Sequence, residues 1–171
     1  MKNIILIGMP GAGKSTVGVL LAKSVLMNFC DTDLLIQNST GQSLCDILKN
    51  SGLEEFIKLE EKTVLNFDFE NVVVATGGSV VYGEKAMEKL KENGITVYLK
   101  VSPVELNRRI NNIHTRGIAM KDGTTLDELY RERAPLYEKY ADFTVECDGV
   151  SPEECVESIL KKIVKKGSSD K

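Results

Sequence analysis

Gly8-Met9-Pro10-Gly11-Ala12-Gly13-Lys14-Ser15-Thr16 satisfies the pattern G-x-x-x-x-G-K-[ST]. A Val/Ile-type run, Asn3 to Gly8, leads into it and a helical segment, Lys14 to Val25, follows; this strand, loop and helix order is the setting in which the pattern cradles phosphate. The chemistry accounts for each residue type. Glycines let backbone N–H groups of Gly11, Ala12 and Gly13 curl around phosphate oxygens, and a helix N-terminus adds positive potential. Lys14 reaches the transferred phosphate, Ser15 ligates Mg²⁺, and Thr16 completes the nucleotide-binding set.

Outward from the loop, the chain alternates between strand-like runs (Asn3 to Gly8, Asn71 to Ala75, Ile95 to Val101) and longer stretches of helical periodicity. That alternation predicts an α/β fold with parallel strands and crossover helices. Ser102-Pro103-Val104-Glu105 and Ser151-Pro152-Glu153-Glu154 each read as a capping box with proline at the first helical position. Thr125-Leu126-Asp127-Glu128 reads as a third box, opening a helix through Tyr140, and Gly94 and Gly167 stand where C-terminal glycine caps are expected. The polar ending Gly167 to Lys171 is expected to fray. No repeat or interdomain linker interrupts the chain, so one domain, residues 1–171, is expected.

Composition narrows the function. A chain of 171 residues with 42% apolar and 27% charged residues has the makeup of a globular domain. Its 22 basic against 25 acidic residues lack the excess that a nucleic-acid backbone requires, so nucleic acid is not an expected partner. The one histidine, His114, argues against a His-rich zinc site or a His-based triad. Ile4 to Ile7 is too short for a signal-peptide core, and no run reaches the roughly 18 apolar residues of a membrane span. Cys30, Cys45, Cys147 and Cys155 form no C-x-x-C pair and read as reduced core residues. A cytoplasmic protein is expected, without membrane association.

Two further groups carry chemistry. Asp31-Thr32-Asp33 follows Phe29-Cys30 at the end of a short second strand, where two carboxylates can project toward the phosphate site. One can hold Mg²⁺ while the other orients or deprotonates an attacking hydroxyl. All five arginines, Arg108, Arg109, Arg116, Arg131 and Arg133, fall within 26 residues. Arg108 and Arg131 suit solvated helix faces. Arg116 and Arg133 suit anion clamping, with the polar segment 111–124 as a mobile cover over a nucleotide. The chain has neither an N-K-x-D guanine reader nor an apolar strand ending in Asp of the motor-ATPase kind. A small-molecule kinase is therefore expected, with a non-catalytic ATP-binding regulatory module as the alternative; the presence of both Asp33 and Lys14 favours turnover.

Four segments together resemble the shikimate kinases over nearly the whole length: GMPGAGKSTVG at 8–18, FCDTD at 29–33, ATGG at 75–78 and RAPLY at 133–137. The resemblance implies a phosphate-loop three-layer α/β/α sandwich with a five-stranded parallel sheet, an acceptor-binding segment at about 33–61 and a lid at about 111–124. It implies ATP and Mg²⁺ as cofactors, a place in aromatic amino acid biosynthesis, and a monomer acting on a small hydroxyl acceptor. Asp31 then assists Mg²⁺ beside Ser15, Asp33 contacts the acceptor hydroxyl, and Gly77 and Gly78 present backbone to the acceptor. Arg116 is the lid arginine, Arg133 clamps the acceptor carboxylate and Arg109 packs on adenine. Three positions depart from the family's pattern. Ile57 replaces the arginine of F-R-x-x-E, Ser79 replaces the third glycine of G-G-G, and Gly117 follows Arg116 where the family has proline. Lys58 cannot stand in for the arginine, since one helical step turns a side chain by about 100°. Shikimate is the first candidate acceptor, and another small hydroxylated acid, a polyol or a sugar acid is the alternative.

Overall fold

The computed structural model describes residues 2–110 and 117–169, the last four of these by backbone alone. Five strands form one parallel sheet: β1 (Asn3–Ile7), β2 (Asn28–Asp31), β3 (Val72–Ala75), β4 (Gly94–Lys100) and β5 (Phe143–Glu146), in the order β2-β3-β1-β4-β5. Every residue of β1 and β3 is buried, which requires cover on both faces because alternate side chains point to opposite sides. The helices supply it: α1 (Lys14–Val25), α2 (Thr32–Thr40), α3 (Leu44–Leu65), α4 (Glu84–Glu92), α5 (Pro103–Arg109), α6 (Leu126–Tyr140) and α7 (Pro152–Ser169). Within this cover α1 packs on α7 and α3 on α4. No helix among the described residues is long and apolar enough to cross a membrane.

The register sets the working edge. Leu6 pairs with Ala75 and with Val97, and Asp31 pairs with Ala75 across β2 and β3. The chain therefore leaves β1, β2 and β3 side by side, at the carboxyl ends of the strands where open α/β sheets bind ligands. The phosphate loop follows β1, Asp31-Thr32-Asp33 joins β2 directly to α2, and Thr76-Gly77-Gly78-Ser79 follows β3.

Three local expectations change. Gly94 is the first residue of β4 rather than a left-handed cap; a Cβ there would meet the Leu90 carbonyl and Ile5, so contact with the preceding helix explains the glycine. Helix α7 continues past Gly167 to Ser169, so Gly167 is not its C-terminal cap. At α5 the Ser102 hydroxyl accepts from the Glu105 amide (3.3 Å), but the reciprocal arm is absent. The Ser102 amide instead donates to Asp148 (2.8 Å), and the Glu105 carboxylate is occupied by Arg108 and Arg109. The boxes at Thr125 and Ser151 are complete.

Candidate active site

Gly13 adopts the left-handed region (φ 94°) and opens α1 without a side-chain cap. The first amides of that helix thus stay open to an anion, and the dipole favours one. Lys14 is 8% exposed and donates from Nζ to the carbonyls of Gly8 (2.7 Å) and Met9 (2.9 Å). Burial pushes its pKa down to about 8, with Asp33 and Asp31 pulling the other way. Ala12 does not join its neighbours on the cavity wall. It is buried and its amide donates to the Met9 carbonyl (3.1 Å), which closes the loop from within.

Asp31 caps α2, accepting from the Asp33 amide (3.0 Å), and its other oxygen accepts from the Ser15 hydroxyl (2.6 Å). This serine–carboxylate pair is a hard-oxygen donor set of the kind Mg²⁺ takes alongside phosphate and water. The described residues contain no cluster of three or more acidic, His or Cys ligands, so no all-protein metal cage competes with that arrangement. Asp33 lies two residues further, with burial first and Asp31 second raising its carboxyl to about 6, against the pull of Lys14.

Gly77 shows why the loop after β3 carries glycines. A Cβ at this position would run into Glu60 Oε1 and stand 2.8 Å from Asp33 Oδ1. The Gly77 amide is fixed by the Thr32 hydroxyl (2.9 Å), and the Gly78 carbonyl accepts from Tyr137 (2.6 Å). A Cβ on Gly78 would lie 3.1 Å from Arg133 Nη1.

Arg133 is 1% exposed. Its Nε donates to the Tyr82 hydroxyl (3.1 Å), its Nη2 donates to the Ala119 carbonyl, and its guanidinium stacks over the Tyr82 ring at 5.1 Å. Nη1 has no partner. A guanidinium held rigidly on two sides with one nitrogen left over is prepared for an anionic ligand. Arg109 is held by Glu105 (2.7 Å) and the Cys147 carbonyl (2.9 Å).

These groups border one cavity of about 430 Å³, a size that suits small ligands. Of the expected site residues, Gly11, Gly13, Lys14, Ser15, Thr16, Asp33, Gly77, Gly78, Arg109 and Arg133 line it. Asp31 stands behind Ser15, off the wall. Arg116 and His114 lie outside the described residues. Ile57 is half-buried and off the wall, whereas its neighbour Phe56 is on it. Lys58 points to solvent, paired with Glu55 (2.7 Å), as the rotation argument requires. Gly117 (φ 63°) fits because a Cβ would meet the Cys45 amide at 2.7 Å.

Sequence reasoning gave no role to Glu60, which ends the stretch compared with F-R-x-x-E, to Ser79, noted there only as a replaced glycine, to Tyr137, which closes RAPLY, or to Tyr82. Glu60 is 1% exposed; Oε2 accepts from the Ser79 hydroxyl (2.6 Å), and Oε1 has no partner. Burial drives its carboxyl up to about 7, against the Ser79 hydrogen bond and the Arg133 charge. The signal was present: Leu53, Phe56, Glu60 and Val64 share one face of α3, and a lone glutamate in that stripe is out of pattern.

Residues 10–164 match the family model described as shikimate kinase. The chain is 36% identical over 168 residues to a shikimate kinase of Caldanaerobacter subterraneus subsp. tengcongensis, covering 96% of this chain and 98% of that one. It is 36% identical over 165 residues to a shikimate kinase of Thermodesulfovibrio yellowstonii, covering 95% of each. Among solved structures, Acinetobacter baumannii shikimate kinase in complex with shikimate superposes with a TM-score of 0.88 at 32% identity, covering 97% of this chain and 94% of that one.

Proposed function

The chain belongs to the shikimate kinase family, and on that premise we propose that it transfers the γ-phosphoryl group of ATP to a hydroxyl of shikimate. The observation that carries the reading is the one cavity lined by the phosphate loop, Asp33 and Arg133, whose guanidinium keeps one nitrogen without a partner. A nucleoside triphosphate fits the uncapped N-terminus of α1, and Arg109 borders its outer end. Mg²⁺, held through Ser15 and Asp31, would supply charge neutralisation across the phosphates. Lys14 leaves the loop carbonyls for the transferred phosphate, gaining an anionic partner that favours its protonated form. Asp33 accepts the acceptor hydroxyl's hydrogen bond and takes its proton as the new O–P bond forms and the bond to ADP breaks. Gly77 and Gly78 admit the acceptor close to the backbone, Arg133 holds its carboxylate, and Arg116 adds charge at the transferring group. All these groups come from one chain, so a monomer suffices, and an ATP-consuming enzyme with reduced cysteines belongs in the cytoplasm.

A coupled ADP-release assay across shikimate, other hydroxylated acids, polyols and sugar acids tests the proposal. Shikimate-stimulated turnover, lost in Asp33→Asn, is expected. Turnover with a polyol or sugar acid but not shikimate reassigns the acceptor, and no stimulation by any compound overturns the kinase reading.

A further inference from the structure

Two buried, opposite and unpartnered polar atoms flank the pair Gly77-Gly78. Glu60 Oε1 lies against Gly77 and Arg133 Nη1 lies 3.1 Å from the Cβ position of Gly78, and consecutive Cα atoms are about 3.8 Å apart. Neither atom satisfies the other, although an unpaired buried charge is costly. Arg133 lines the cavity, whereas Glu60 is not among its lining residues and has its other oxygen fixed by Ser79. The groups facing Glu60 are Lys14 on α1, Asp33 on α2, Ser79 after β3, and Arg133 and Tyr137 on α6. A negative Glu60 therefore offsets the positive charge that Arg133 offers to a ligand. Any anion seated on Arg133 brings a second negative charge close to Glu60.

We infer that Glu60 sets the acceptor's charge preference: it takes up a proton from solvent when a carboxylate-bearing acceptor seats on Arg133, and not when a neutral hydroxyl compound does. The inference rests on the acceptor reading above. Its physical basis is that a group already poised to hold a proton near neutrality gains further proton affinity from a nearby anion. Glu60 acts through Arg133 and touches no substrate, so it is a positioning residue.

Calorimetric titration of shikimate and of its methyl ester, in two buffers of different ionisation enthalpy and from pH 6 to 8.5, tests this. For the wild type, close to one proton should be taken up per shikimate bound above pH 7.5. The dissociation constant should rise about tenfold between pH 7 and 8.5, while the neutral ester shows neither effect. Glu60→Gln keeps the Ser79 contact without a titrating group, and should bind shikimate with no proton uptake and a pH dependence within about twofold. Shikimate binding to the wild type without proton uptake overturns the inference whatever the variant does, and so does an unchanged slope in Glu60→Gln. Failure of shikimate to bind at any pH overturns the acceptor reading and this inference with it, which separates the two failures.

Discussion

Replacing Glu60 with glutamine should make the ligand-free protein more stable at neutral and alkaline pH. Glu60 is wholly buried and its carboxyl is raised from 4.5 to about 7, chiefly by burial, so the folded state favours the neutral acid. The folded chain then binds one more proton than the unfolded chain between pH 4.5 and 7, and stability falls as pH rises through that window. At about 1.36 kcal/mol per pKa unit the loss approaches about 3 kcal/mol above pH 7. Glutamine stays neutral and can still accept the Ser79 hydroxyl that now reaches Oε2 at 2.6 Å. For a domain of this size, 3 kcal/mol corresponds to about 6–12 °C in Tm. Thermal melts of wild type and Glu60→Gln at half-unit steps from pH 4.5 to 8 should nearly coincide at the acid end, diverge from about pH 5 and reach full separation above pH 7, the variant melting higher. A difference independent of pH, or a variant that melts lower at pH 8, would refute the assignment of Glu60 as an uncompensated buried acid.

Lys14→Ala should abolish phosphoryl transfer while the chain still folds, because the side chain's hydrogen bonds go to the Gly8 and Met9 carbonyls of the loop; turnover within about threefold of wild type, well under 1 kcal/mol in barrier, sinks the phosphate-loop assignment. Asp33→Asn should lower kcat by roughly 100-fold with ATP affinity nearly unchanged, and equilibrium nucleotide binding beside steady-state kinetics checks both halves. The pH profile of kcat/KM for shikimate should rise through about 6 as Asp33 ionises and fall above about 7, first as Glu60 ionises and shikimate binding weakens, then as Lys14 loses its proton near 8; a profile flat from 5 to 9 contradicts those roles. Gly77→Ala should cost most of the activity, since its Cβ would displace Glu60 and stand 2.8 Å from Asp33 Oδ1. An active Gly77→Ala enzyme means that the acceptor loop is not held where the structure puts it.

Much of the sheet and of the phosphate end was legible because short-range rules govern them. A loop pattern fixed by phosphate chemistry, Val/Ile-rich strands and a serine–proline–glutamate signature each occupy a few consecutive residues. The elements harder to read depend on contacts distant in sequence. Gly94 imitates a helix cap but serves packing against Leu90 and Ile5, and the expected reciprocal arm at Ser102 is displaced by Asp148, 46 residues away. The acceptor end is of the same kind. Arg133 was recognisable as an anion clamp, yet the residues that restrain it, Tyr82 in a 3-10 turn after β3 and Ala119 before α6, lie distant in sequence or outside its own helix. Glu60 could be read as an anomaly in an apolar stripe, but its partner Ser79 looked like a lost glycine until the fold brought them together.

The most direct test of the central claim is phosphorus NMR of a mixture of the purified protein, ATP, Mg²⁺ and shikimate. A new phosphate-monoester resonance growing in step with the ADP signals, and absent when shikimate or Mg²⁺ is omitted, is the predicted result. ADP formation matched only by inorganic phosphate, or no change in the ATP resonances with shikimate present, would contradict it.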